Sequence, residues 1–88
     1  MEAQDKNRKV KKTFVEVQAK YHVDGRIEPY CVFWKDGRRF VIDRILDVRP
    51  GHSLKAGGMG LRYTCRIKNK TTYLFLEDNK WFVEEKLD

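Results

Sequence analysis

The residue types that could do chemistry in this chain are arginines and aromatic rings set alternately along neighbouring segments. Arg62, Arg66 and Lys68 recur at even spacing, and Tyr73 and Phe75 follow in the next segment. In extended chain such spacing puts like-phased residues on one side. Rings on a basic sheet face can stack bases at about 1–3 kcal/mol each, while guanidinium and ammonium groups neutralise phosphates. Arg38 and Arg39, after an Asp-Gly turn, and Lys55, in a glycine-rich segment, add further cations. The pattern predicts binding of single-stranded DNA or RNA with low sequence specificity. Arg38, Arg39, Lys55, Arg62, Arg66 and Lys68 would meet phosphate, and Tyr73 and Phe75 would stack. The alternative is that the same aromatic face takes a protein partner or a second copy of the chain, or that its rings form a second small core.

Catalytic constellations are sparse. The single serine, Ser53, neighbours His52 in a glycine-rich stretch, a poor geometry for a nucleophile and its base. His22 stands alone among polar residues. Cys31 and Cys65 are too far apart for a CxxC metal site and fit buried, inert thiols. Asp43 and Asp47 would lie about 13 Å apart along a strand, beyond the spacing of paired glycosidase carboxylates, and cross-strand pairing with Arg62 or Arg66 is their expected role. Gly57-Gly58-Met59-Gly60 lacks the Lys-Ser/Thr ending of a phosphate-binding loop. The reading is a protein that is not an enzyme, with no cofactor and no metal.

The elements that would carry these residues are strands. Val15, Val17, Ala19, Tyr21 and Val23 alternate with Glu16, Gln18, Lys20 and His22, which predicts a half-buried first strand. Asp24-Gly25-Arg26 is a turn signal, Tyr30 to Lys35 a second strand, and Asp36-Gly37 a hairpin turn. Arg39 to Arg49 reads as one long third strand whose phase Arg44 interrupts, the mark of a bulge or bend. Residues 50–60 read as a loop with room for one helical turn near Ser53–Ala56. Leu61 to Lys68, Thr71 to Glu77 and Trp81 to Lys86 supply three more strands, turned at Asn69-Lys70 and Asp78-Asn79-Lys80. With no long helix to cover a sheet face, about six antiparallel strands in a meander must curl into a small barrel or sandwich, SH3-like or OB-like. Val17, Trp34, Ile42, Cys65, Leu74 and Val83 would face the core, and Phe14, Phe33, Tyr73, Phe75 and Phe82 the other side.

Charge and length agree with that plan. The 88 residues suffice for one small core. Nineteen Lys+Arg against 13 Asp+Glu leave +6, and residues 26–70 hold eleven of those cations against four acids. A basic centre on an otherwise mixed surface bears on partners rather than on fold. Residues 1–12 are basic and aperiodic, and are expected to be a flexible arm ahead of a single β-domain at 13–88. No apolar run is long enough to span a membrane and no secretory-type apolar segment begins the sequence, which predicts a cytoplasmic protein that does not engage membranes.

The order Trp34-x-x-Gly37-Arg38-x-Phe40-x-Ile42-x-x-x-Leu46, with Arg62-Tyr63, Thr72-Tyr73-Leu74-Phe75 and Trp81-Phe82-Val83, resembles a family of small single-domain bacterial proteins, chiefly from Gram-positive lineages. Some of them are encoded beside translesion-type polymerases. The resemblance covers roughly residues 14–86 and implies a cytoplasmic bacterial protein with a link to DNA. It transfers no catalytic residue.

Overall fold

The computed structural model describes residues 10–51 and 60–86, and those residues form seven strands and no helix. They are β1 (Val10–Tyr21), β2 (Ile27–Phe33), β3 (Arg39–Val41), β4 (Arg44–Gly51), β5 (Gly60–Ile67), β6 (Lys70–Glu77) and β7 (Lys80–Lys86). Tight turns set the registers. Gly37, at φ 92°, closes the β2–β3 hairpin, where the Gly37 N–H donates to the Trp34 carbonyl and the Trp34 N–H to the Arg38 carbonyl. Only glycine enters that left-handed region without strain. The β5–β6 and β6–β7 hairpins turn on Lys68-Asn69 and Asp78-Asn79, with φ between 49° and 66° at all four residues. Positive φ at both central positions gives a turn whose twist matches the flanking strands, and asparagine tolerates it well.

All seven strands are antiparallel to their neighbours, in the order β3-β2-β1-β7-β6-β5-β4. The edge strands β3 and β4 are adjacent in sequence, separated by Ile42 and Asp43 alone. So short a link forces the sheet to roll until its edges meet at that corner. The Ile42 N–H donates to the Tyr30 carbonyl (3.0 Å), beside one edge, and the Asp43 N–H to the Arg66 carbonyl (2.9 Å), on the other. Two consecutive residues thus tie both sides of the seam into a curled half-barrel. Farther along, the Tyr63 hydroxyl crosses the seam and donates to the Ile27 carbonyl at 2.5 Å.

The interior holds Val32, Ile42, Tyr63, Cys65, Leu74, Leu76 and Trp81, with Val15, Val17, Ile45 and Val83 packed around them. Tyr63 and Trp81 meet with ring centroids 5.4 Å apart. Burial pushes the Tyr63 phenol above its ordinary value and the Cys65 thiol up to about 11, because both charged forms would lose water inside the barrel. Cys31 and Cys65 are free and buried.

Several boundaries differ from the sequence reading. The long third strand is broken at Ile42-Asp43 into β3 and β4, and a bulge between Ile45 and Asp47 follows; the phase break at Arg44 marks the roll of the sheet. The second strand lies earlier than expected and ends at Phe33. The first strand begins at Val10, inside the stretch expected to be a flexible arm, because Val10, Lys11 and Lys12 pair with Lys86, Glu85 and Glu84 of β7; it ends at Tyr21, leaving Val23 exposed in the turn. Gly51 and Gly60 belong to strands. The rest of the arm, the helical turn considered near Ser53–Ala56, the His52-Ser53 pair and Lys55 lie outside the described residues.

Candidate functional site

The register builds the site on the outside of the barrel. Antiparallel partners share a face, and one row across five strands runs Phe14, Phe82, Phe75, Arg62 and Arg49. Two rows away toward the β5–β6 hairpin, Arg66 pairs with Arg44 on one side and with Thr71 on the other. The row between holds Asp47, Thr64 and Tyr73. Four arginines therefore stand on the outer face of β4 and β5, in two directly opposed pairs.

Their partners are unequal. The Arg49 Nε donates to Asp47 Oδ2 at 2.7 Å, and this contact above all holds the Asp47 carboxyl below its ordinary range. Arg44, Arg62 and Arg66 have no carboxylate partner among the described residues. The Arg62 guanidinium instead lies 4.7 Å from the centre of the Tyr73 ring, and its buried Nε finds no hydrogen-bond partner. Asp43 and Asp47 were expected to pair across strands with Arg62 or Arg66; neither forms an ion pair there, and Arg62 adds only a longer-range pull on the Asp47 carboxyl. The bulge at Leu46 shifts Asp47 opposite Thr64, and the corner turns Asp43 to accept the Lys68 N–H at 3.0 Å.

The aromatic part of the row divides in two. Tyr73 is 48% exposed and Phe14 58% exposed. Phe75 and Phe82 are at 6% and 0%, so Phe75 does not offer the open stacking ring expected of it. Its ring lies parallel to Phe82 at 5.0 Å, and Phe14 meets Phe82 edge-on at 5.7 Å. Lys12 on β1 reaches over β7 to Glu77 on β6 at 3.1 Å, with its ammonium 4.6 Å from the Phe82 centroid. That ion pair covers a second small core on the outer face, one of the alternatives the sequence left open.

The remaining predicted residues gather elsewhere. Arg38 and Lys68 both lie against the Phe40 ring, at 5.4 and 5.6 Å, at the barrel mouth beside the β5–β6 hairpin. Arg38 is also bridged to Asp36 at 2.8 Å. Arg39 is exposed on the edge strand β3. Asp43 links the two groups, through its N–H to Arg66 and its carboxylate to Lys68. Sequence reasoning missed Arg44 and Arg49, which complete the opposed pairs. The signal lay in the register between β4 and β5, hidden by the segment joining them and by the bulge. Among the described residues no three metal-ligating side chains come together, and no helix is long and apolar enough to cross a membrane.

Fold and site together define a small antiparallel half-barrel with an arginine-lined outer face. Set against protein-family models, curated proteins and solved structures, the chain matches none.

Proposed function

We propose that this protein binds single-stranded nucleic acid, with little sequence preference, on the outer face of β4, β5 and β6. The observation that carries the reading is the pairing of Arg44 with Arg66 and of Arg49 with Arg62 directly across two strands. Like charges set opposite each other destabilise a sheet by about 0.2–1 kcal/mol per pair. Only one of the four arginines has a carboxylate partner among the described residues. A polyanion removes that repulsion on binding. Arg62 and Arg66 are four residues apart on β5, about 13 Å along the strand, so one backbone can follow both. Tyr73 lies between the two arginine rows and is half exposed, a position for stacking a base. Backbone charge and ring faces carry no base code, so the binding would be insensitive to sequence.

A second reading rests on the sheet edge. β4 bonds only to β5 and exposes Leu46 and Val48, and an open edge with apolar side chains favours pairing with a second copy. Size-exclusion chromatography with and without an oligonucleotide separates the readings: the nucleic-acid reading predicts a shift only with oligonucleotide.

The direct test is the double variant Arg62→Glu, Arg66→Glu. Binding of a fluorescent single-stranded oligonucleotide at about 50 mM salt should fall by about tenfold or more, because two phosphate contacts are lost and repulsion is added. Undiminished binding by a folded double variant would contradict the proposal.

A further inference from the structure

A half-open pocket of about 440 Å³ lies at the mouth of the barrel beside the β5–β6 hairpin. That is within the roughly 300–1,000 Å³ range of small-molecule sites, which often occupy barrel mouths. Its inner walls are hydrocarbon and aromatic carbon from Val32, Phe40, Ile42, Ile67, Leu74 and Val83, with the Cys65 thiol at the base. Burial holds that thiol protonated, so the floor carries no charge.

The mouth is basic, and its cations are held there by rings. Lys68 and Arg38 both lie against Phe40, and the Lys35 ammonium is 5.3 Å from the Trp34 ring centre. Lys68 and Lys70 border the pocket, and their ammonium groups form no ion pair among the described residues. The acids at the same mouth are Asp36, bridged to Arg38, Asp43, which accepts the Lys68 backbone N–H, and Glu84 and Glu85. Glu85 is taken up by the Thr13 hydroxyl at 2.7 Å and by Lys35 at 3.2 Å, whereas Glu84 stands opposite Lys12, whose ammonium is bridged to Glu77, and forms no ion pair among the described residues. With Lys68 and Lys70 against Glu84, the net charge outside ion pairs beside the apolar walls is positive.

We propose that this pocket binds an amphipathic monoanion of the fatty-acid class, its hydrocarbon tail against the apolar walls at the barrel mouth and its carboxylate at Lys68 and Lys70. Each methylene buried in such walls gains from leaving water, and the cations discriminate the head group by sign. A nucleobase fits less well, because several polar edge atoms would enter walls of carbon and stay unpaired. None of the outer-face arginines lines the pocket, although Tyr73 borders both sites.

The test uses decanoate and, as a cationic counterpart, decyltrimethylammonium, titrated into the protein below their micellar concentrations and followed by calorimetry. Decanoate should bind one to one, at least about tenfold more tightly than the cationic amphiphile. The double variant Lys68→Glu, Lys70→Glu should lose that preference. Thr72→Phe, which fills the cavity from β6, should lose both ligands while keeping a cooperative melt. Should Thr72→Phe fail to fold, nuclear Overhauser contacts between decanoate and the Ile67 and Leu74 methyls of the parent protein decide the location. Absence of binding, equal affinity for the two amphiphiles, or contacts elsewhere on the surface would each overturn the proposal.

Discussion

Arg62 directs its charge at the Tyr73 ring, which would couple phosphate contact to base stacking on the proposed binding face. A guanidinium 4.7 Å from the ring centre biases the ring's orientation, through a cation–π attraction of about 0.5–1 kcal/mol at an exposed site. Tyr73→Ala should therefore weaken oligonucleotide binding by about fivefold or more, as expected for one lost stacking contact. The salt dependence should change little, since stacking is not ionic; a large change in the salt slope, read by fluorescence anisotropy, would contradict a stacking role. Carboxylates elsewhere set the response to acid. Glu85 is held below its ordinary value of 4.5, first by the Thr13 hydroxyl and then by Lys35. Asp24, Glu28, Asp36 and Asp47 are lowered likewise by hydrogen bonds from Arg26, His22, Arg38 and Arg49. A depressed carboxyl stabilises the fold fully above its unfolded value and loses that contribution as pH falls through its folded value. The melting temperature should thus drop between about pH 5 and pH 3. In Thr13→Val the drop should be smaller, because Glu85 titrates nearer its ordinary value; an identical drop would contradict the assignment.

Among the elements, the corner between β3 and β4 does most to shape the molecule. A two-residue link between opposite edges of a seven-stranded sheet leaves rolling as its only solution. Tyr63 then closes the part of the seam that no strand pair reaches. Removing its hydroxyl in Tyr63→Phe leaves the Ile27 carbonyl without this partner, at a cost of about 1–2 kcal/mol. Chemical denaturation measures it, and a loss below a few tenths would mean that the bond contributes nothing. The alternation of apolar and polar residues made most strands legible in the sequence, along with the turns at Gly37, Asn69 and Asn79. The break at Ile42-Asp43 was visible only as a phase error at Arg44, because a bend and a bulge disturb periodicity in the same way. The start of β1 was hidden for another reason. Val10 is the one apolar residue between Ala3 and Phe14, and the pairing of Lys11 and Lys12 with Glu85 and Glu84 depends on a strand at the far end of the chain.

At the scale of the whole molecule, the rolled sheet divides its side chains between an inner core and an outer face with two characters. Toward β1 and β7 the outer face is aromatic and closed by the Lys12–Glu77 pair. Toward β4 and β5 it is cationic. The sequence disclosed Arg62, Arg66 and Tyr73 through their spacing, but not Arg44 and Arg49, whose place depends on register, and not the enclosure of Phe75, which depends on a side chain from β1. The central claim is that these opposed arginines exist to meet a polyanion. Its most direct measurement is the affinity of the protein for a single-stranded oligonucleotide across a series of salt concentrations. Each phosphate neutralised on a single strand contributes about −0.7 to the slope of log K against log salt, so four arginines predict a slope near −3. A slope near zero, or no binding at about 50 mM salt, would contradict the account.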